Sequence, residues 1–289
     1  MSRAVPNILS IAGVDPSGGA GILADVKAIS ALGGFACAVV TALTAQNTRA
    51  VAGVLPTTAE FVGEQLDTLL ADVRISATKI GMVGRAAVIA KVAERLSHWQ
   101  VAPIVLDPVM VAKSGDALLD RSATGALREA LVPLATILTP NLPEAGVLLD
   151  ARPVDTVKEM YRAAERLRML MHGAGGRWVY LKGGHLPGGE ATDLLHDGDR
   201  MIELRAERVA TPNTHGTGCT LSAALATLLP QSTDVPTSAR HAKAYLTQAL
   251  QHADELSVGG GHGPVHHFHA LWQGQRLDAS FDPDPSNRR

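Results

Sequence analysis

The stretch Thr211-Pro212-Asn213-Thr214-His215-Gly216-Thr217-Gly218-Cys219-Thr220 concentrates more potential chemistry than any other part of the 289-residue chain, and it runs straight into the apolar segment Leu221 to Leu229. A Gly-x-Gly turn at a helix start leaves backbone N–H groups unpaired and pointing one way. With the helix dipole they favour an anionic oxygen. Glycines at 216 and 218 let a ligand approach the backbone, because no Cβ intervenes. Cys219 falls in the first turn, where the dipole is expected to lower a thiol pKa and favour thiolate. The same letters also fit a plain glycine turn ahead of a buried helix with a core cysteine.

Other candidates follow the ends of apolar runs. Asp107 comes after Ile104-Val105-Leu106, and Asn141-Leu142-Pro143-Glu144 after Thr136 to Leu138. Acids at two strand ends can hold Mg²⁺ directly or through its waters, although isolated acids at such places also cap helices. Lys182, before Gly183-Gly184-His185, is a compact charge suited to phosphate, or else a solvated loop residue. Gly19-Ala20-Gly21-Ile22-Leu23-Ala24 fits the dinucleotide pattern, but the second strand ends in Thr44-Ala45-Gln46-Asn47 without the acid a dehydrogenase needs for its ribose. Asp25 stands at the edge of the face formed by Ile22, Val26 and Ile29, and its carboxylate either snorkels there or enters a pocket. His262, His266, His267 and His269 suggest metal by number, but their spacing is irregular and no acid or cysteine is near.

These residues need elements to position them. Hydrophobic residues make up 46 % and charged residues 19 %, with a formal net charge of −2, which argues against a general nucleic-acid binder. Aromatics are only 3 %, so Ala, Val, Leu and Ile must build the core, as suits buried parallel strands under Ala-rich helices. Two distant cysteines, Cys37 and Cys219, give no disulfide framework. Met1 to Gly13 lacks a signal-peptide pattern, and no stretch reaches the roughly 18 apolar residues of a membrane helix. A reduced cytoplasmic setting without membrane attachment is expected.

The periodicity predicts strands at Ile8–Ala12, Ala36–Leu43, Thr78–Met82, Pro103–Leu106, Thr136–Leu138 and Trp178–Leu181. A hairpin is predicted over Thr192–His196 and Met201–Leu204, joined by Asp197-Gly198-Asp199. Helices are predicted over 20–32, 59–71, 86–98, 122–131, 144–149, 156–172, 219–229 and 238–257. Strands alternating with helices mean a mostly parallel sheet with helices on both faces, one three-layer α/β/α domain over residues 1–277. A polar tail, 278–289, is expected to fray. In such sheets ligands bind beyond the carboxyl ends of strands, so Asp15, Gln46, Asp107, Asn141, Glu144 and Lys182 should converge.

Eight phrases in order carry a resemblance. They are Ser10 to Ile22 (SIAGVDPSGGAGI), Thr41 to Thr48 (TALTAQNT), Lys79-Ile80-Gly81-Met82, Leu106-Asp107-Pro108-Val109-Met110, Lys113-Ser114-Gly115, Thr139 to Ala145 (TPNLPEA), Lys182-Gly183-Gly184-His185, and Asn213 to Cys219. Over about residues 7 to 272 the chain resembles the hydroxymethylpyrimidine/phosphomethylpyrimidine kinases of thiamine biosynthesis, within the ribokinase-like superfamily. Leu23 and Val14 depart from the family pattern, where Gln and Ser or Thr are usual, and would alter the pocket's edge.

The resemblance implies ATP- and Mg²⁺-dependent phosphorylation of 4-amino-5-hydroxymethyl-2-methylpyrimidine, then of its monophosphate. Gly13, Asp25, Gln46, Met82 and Val109 would line the pyrimidine pocket. Lys182, Thr217, Gly218 and Asn141 would serve ATP, and Asp107 and Glu144 would serve Mg²⁺. Gly216, Thr217 and Gly218 would form the anion hole, with Cys219 where relatives usually carry a catalytic Asp, and a homodimer is implied. A Gln carboxamide pairs an acceptor with a donor, complementary to an aminopyrimidine. A thiolate at Cys219 would serve the alcohol acceptor as base, whereas the phosphate acceptor needs none. A pyridoxal-type vitamin kinase, or a sensor that keeps the fold without turnover, stands as the alternative.

Overall fold

The computed structural model describes residues 4–111, 115, 118, 123–172 and 176–272. The predicted polar tail and Lys113-Ser114 lie outside the described residues. Strands are β1 (Asn7–Val14), β2 (Phe35–Gln46), β3 (Val51–Pro56), β4 (Ala77–Ile80), β5 (Ile104–Leu106), β6 (Ile137–Leu138), β7 (Trp178–Leu181), β8 (Glu190–His196) and β9 (Met201–Glu207). Helices are α1 (Gly21–Ala31), α2 (Ala59–Leu70), α3 (Ala86–His98), α4 (Ala123–Ala126), α5 (Leu142–Leu148), α6 (Val157–Leu170), α7 (Thr217–Leu228) and α8 (Val235–Gln251).

All nine strands join one sheet in the order β3-β2-β1-β4-β5-β6-β7-β8-β9. The six from β2 to β7 run parallel, while β3, β8 and β9 add antiparallel edges. Side-chain alternation divides the core in two. Leu9, Ile11, Val39, Ile80, Leu106 and Val179 face α2 to α6. Ile8, Ala77, Val105, Ile137 and Tyr180 face α1, α7 and α8. On α3 the buried stripe Val88, Ile89, Val92, Ala93 and Leu96 keeps helical spacing, and each large aliphatic contributes roughly 1.5–3 kcal/mol. Central helix α7 is the small-residue one: Ser222, Ala223, Ala224 and Ala226 are buried, which lets it sit closely against the sheet and both neighbouring helices.

Several predicted boundaries move. The polar cluster from Thr44 does not end the second strand, because β2 continues to Gln46 and turns back as β3. Val51-Ala52-Gly53-Val54-Leu55-Pro56 carries Gly, Pro and four consecutive exposed residues, so it lacks the half-buried alternation that marks a strand; its pairing with β2 creates it. Helix 122–131 keeps only one α turn before widening at Leu127–Leu131, and α8 starts at Val235, capped by Asp234, and stops at Gln251. No helix among the described residues is long and apolar enough to cross a membrane.

Candidate active site

All six parallel strands deliver their carboxyl ends to one cavity of about 480 Å³, within the range that takes a small ligand. Asp15 follows β1, Gln46 ends β2, Asp107 follows β5, Asn141 and Glu144 follow β6, and Lys182 follows β7; all line it. Gly13, Met82, Val109, Gly216, Thr217, Gly218 and Cys219 complete its walls from the predicted set. The exception is Asp25. It is fully buried on α1 and absent from the cavity wall, so its expected place in the pyrimidine pocket is corrected. Of the two departures from the family pattern, Val14 lines the cavity, whereas Leu23 points partly into solvent and does not.

The reason Asp25 turns inward is Lys79. This lysine sits on β4 opposite Ser10 of β1, beneath α1. Its Nζ donates to both Asp25 oxygens at 2.9 and 2.8 Å, and Ser10 Oγ donates to Oδ2 at 2.6 Å. Burial works against the Lys79 charge, but the charge and hydrogen bonds of Asp25, with the more distant Asp107, together hold the ammonium above its ordinary range. Burial likewise pushes Asp25 upward, opposed by Lys79 and by the three donated hydrogen bonds. The family resemblance implies no role for Lys79. The signal was there: a cation inside Ala77-Thr78-Lys79-Ile80, a wholly buried strand, requires a partner.

Lys182 forms the second charge cluster. Its Nζ donates to Asp107 Oδ1 at 2.7 Å and lies 4.0 Å from Glu144 Oε2. Burial opposes its charge, and the Asp107 and Glu144 carboxylates more than restore it. Asp107 also accepts from Thr139 Oγ1 and Ser222 Oγ, so it is held from β6 and α7 and does not cap a helix. Glu144 does keep the capping role: Asn141 Oδ1 accepts from its N–H, and its own Oε2 accepts from the Asn141 N–H at 2.7 Å. Burial pushes the Glu144 carboxyl up to about 7, with Lys182 opposing and Asp107 reinforcing.

The glycine loop opens α7 with Gly216 as the N-cap residue at φ 76°, in the left-handed region. A Cβ there would overlap the Gly19 carbonyl oxygen, so two glycine-rich loops meet backbone to backbone. His215, which sequence reasoning left without a role, fastens them: Nε2 stands 2.7 Å from Asp15 Oδ2. Asp15 accepts further from the Ser17 N–H, Ser17 Oγ and the Ala20 N–H. Burial would raise its carboxyl, but the His215 and Ser17 hydrogen bonds hold it below the ordinary value.

Cys219 contradicts the expectation of a thiolate. Burial pushes its thiol up to about 11, and the nearby Asp25 and Asp107 carboxylates add to this against the pull of Lys79. The helix start is outweighed because two carboxylates act on a half-buried thiol. Alkylation of Cys219 by iodoacetamide, followed by peptide mass mapping, should therefore be slow at pH 7 and climb about tenfold per pH unit up to pH 10. A fast rate already level at pH 7 would restore the thiolate.

Of the carboxyl-terminal histidines, His266, His267 and His269 are buried, while His262 is exposed. His267 Nε2 hydrogen-bonds with Thr220 Oγ1 at 3.0 Å, burial lowering its pKa to about 3, and His269 pairs with Gln248. Among the described residues no group of three or more His, Cys, Asp or Glu could hold a metal ion.

Residues 15–266 match the family model described as phosphomethylpyrimidine kinase. The Escherichia coli hydroxymethylpyrimidine/phosphomethylpyrimidine kinase is 51 % identical over 266 residues, covering 92 % of this chain and 98 % of its own. The Bacillus subtilis pyridoxal kinase, solved as an ADP complex, superposes with a TM-score of 0.84 at 33 % identity, over 92 % of this chain and 99 % of that one. The phosphomethylpyrimidine kinase of Clostridium difficile gives a TM-score of 0.74 at 36 % identity, over 85 % and 99 % of the two chains.

Proposed function

The chain belongs to the phosphomethylpyrimidine kinase family, and on that premise we propose that it uses ATP to phosphorylate 4-amino-5-hydroxymethyl-2-methylpyrimidine and then its monophosphate, in thiamine diphosphate biosynthesis. The observation that carries this reading is one cavity lined by the Gln46 carboxamide together with Lys182, two carboxylates and the start of α7. Phosphoryl transfer asks mainly for positioning and charge stabilisation, which backbone amides and Lys182 can supply. Supplying ATP, Mg²⁺ and the hydroxymethylpyrimidine should give monophosphate and then diphosphate. ATP consumption without either product would leave the pyrimidine reading without support.

Gly13, Gln46, Met82 and Val109 are assigned to the pyrimidine. Gln46 Oε1 lies 3.2 Å from Thr44 Oγ1, whose one proton goes to the Val14 carbonyl at 2.9 Å. Gln46→Leu should raise the pyrimidine KM about tenfold or more while leaving the ATP KM nearly unchanged, by loss of a hydrogen-bonded pair. Unaltered pyrimidine KM would place Gln46 outside the pocket.

Lys182, Thr217, Gly218 and Asn141 are assigned to ATP, with the α7 amides facing the phosphate in transit. Asp107 and Glu144 offer oxygen donors only, as Mg²⁺ prefers, but Lys182 already occupies the near side of Asp107. They therefore fit an ion held through its waters, with phosphate oxygens completing the shell. When bound, Mg²⁺ neutralises phosphate charge. Cys219 walls the site as a neutral thiol, so Cys219→Ala should lower the two transfers by similar factors. A loss confined to the alcohol step would reinstate the base.

A pyridoxal-type alcohol is the second acceptor to test, since the Bacillus subtilis neighbour bears that activity in its name. Turnover itself separates a kinase from a sensor. Exposed Leu43 and Leu55 are register partners on the edge hairpin of β2 and β3, which supports a homodimer through that edge. The continuous sheet supports a single kinase domain over residues 1–277, and two free cysteines suit the cytoplasm.

A further inference from the structure

Beyond Leu43, β2 no longer pairs with β1; Thr44, Ala45 and Gln46 pair only with β3. The tip of this hairpin is thus a two-stranded ribbon, and β3 is exposed from Ala52 to Leu55. Two strands alone are marginal in water, so the ribbon needs anchors if Gln46 is to hold one position. One anchor is local: Thr44 Oγ1 donates to the Val14 carbonyl at 2.9 Å. The other comes from more than two hundred residues away.

Gly259-Gly260-Gly261-His262-Gly263-Pro264 crosses from the hairpin tip to the glycine loop before α7. At the tip, the Gly261 N–H donates to Thr48 Oγ1 at 3.1 Å and the His262 N–H donates to the Thr48 carbonyl at 2.9 Å. At the loop, the His215 N–H donates to the Gly263 carbonyl at 3.0 Å, and His215 bridges Pro264. Glycine is required at the first landing and favoured at the second. A Cβ on Gly261 would overlap the Thr48 carbonyl, and one on Gly263 would overlap the Asn213 side chain. Thr48 lies two residues from Gln46, and His215 one residue from Gly216.

We propose that residues 259–264 are a positioning strap, fastening the hairpin that carries Gln46 to the loop that carries the anion hole. This rests on the assignment of Gln46 to the pyrimidine, and it adds what fixes the distance between acceptor and phosphate. A free hairpin would still bind ATP at the loop but would present Gln46 poorly.

The test is Gly261→Ala, whose Cβ meets backbone that no rotamer change can clear. Trypsin cleavage after Arg49, identified by mass, reads release of the tip directly, and steady-state kinetics read its consequence. Cleavage at Arg49 should accelerate, the pyrimidine KM should rise about tenfold or more, and the ATP KM should stay within about twofold, as expected for a displaced positioning group. Should Gly261→Ala fail to fold, Thr48→Ala removes only the side-chain acceptor, and a rise in pyrimidine KM of about two- to tenfold is expected for one hydrogen bond. Wild-type rates of Arg49 cleavage, or a released tip with unchanged pyrimidine KM, would overturn the strap. If the wild-type protein does not turn over the pyrimidine, the functional reading fails instead, while Arg49 cleavage still reports on the strap.

Discussion

Lys182→Met should lower kcat for both phosphoryl transfers by about two to three orders of magnitude, the loss seen when one preorganised charge-stabilising group is removed from a transfer site. Lys182 is the cation placed between Asp107 and Glu144, 2.7 and 4.0 Å away, at the end of β7. Its removal takes away a positive charge from the phosphates and leaves two carboxylates facing them. Both acceptors use the same donor phosphate, so both steps should fall together, unlike the pyrimidine-specific effect expected of Gln46. Lys182→Arg should not restore the rate, because the planar guanidinium cannot occupy the compact position of the ammonium. Steady-state rates measured separately for the alcohol and the monophosphate, with melting temperature as control for folding, check this. A variant within threefold of wild type would remove Lys182 from the transfer step.

The second large effect is on stability. Lys79→Met should destabilise the fold by about 3–5 kcal/mol, the usual consequence of stripping one partner from a buried ion pair. Asp25 would be left wholly buried, with only Ser10 donating to it. The double variant Lys79→Met with Asp25→Leu should recover much of the loss, since apolar replacements of a buried pair are often close to neutral. Urea unfolding of the two variants distinguishes the cases. If the single variant loses less than about 1 kcal/mol, water must reach Asp25, and the pair is not structural in the sense argued here. Because the pair lies under Cys219, the double variant should also change that thiol's alkylation profile.

Much of the architecture was legible because it rests on local periodicity. Strand Trp178–Leu181 and helix Ala86–His98 appear with the predicted ends, each fixed by an apolar pattern and the turn residues beside it. Strand β3 was not legible. Val51 to Pro56 is a strand only because β2 offers it a partner, and no residue within it carries that information. Gln46 therefore sits on a hairpin and not in a loop, which is why it needs the strap.

The candidate site divides in the same way. Sequence alone determined which chemical groups are available and that they follow strand ends, since in a parallel sheet those ends must share one edge. Asp107, Glu144, Lys182 and the Gly216–Cys219 turn needed nothing more to be set beside one another. Tertiary structure alone decided the partners and the charge states. Spacing favours a helix-edge place for Asp25 over a pocket, and only Lys79, 54 residues away, fixes where its carboxylate goes. Cys219 looked like a thiolate from its place at a helix start, yet burial beside Asp25 and Asp107 keeps it protonated. Position along the chain sets the helix dipole, but a thiol's pKa depends on the whole field around it, and that field is assembled only when distant strands pack.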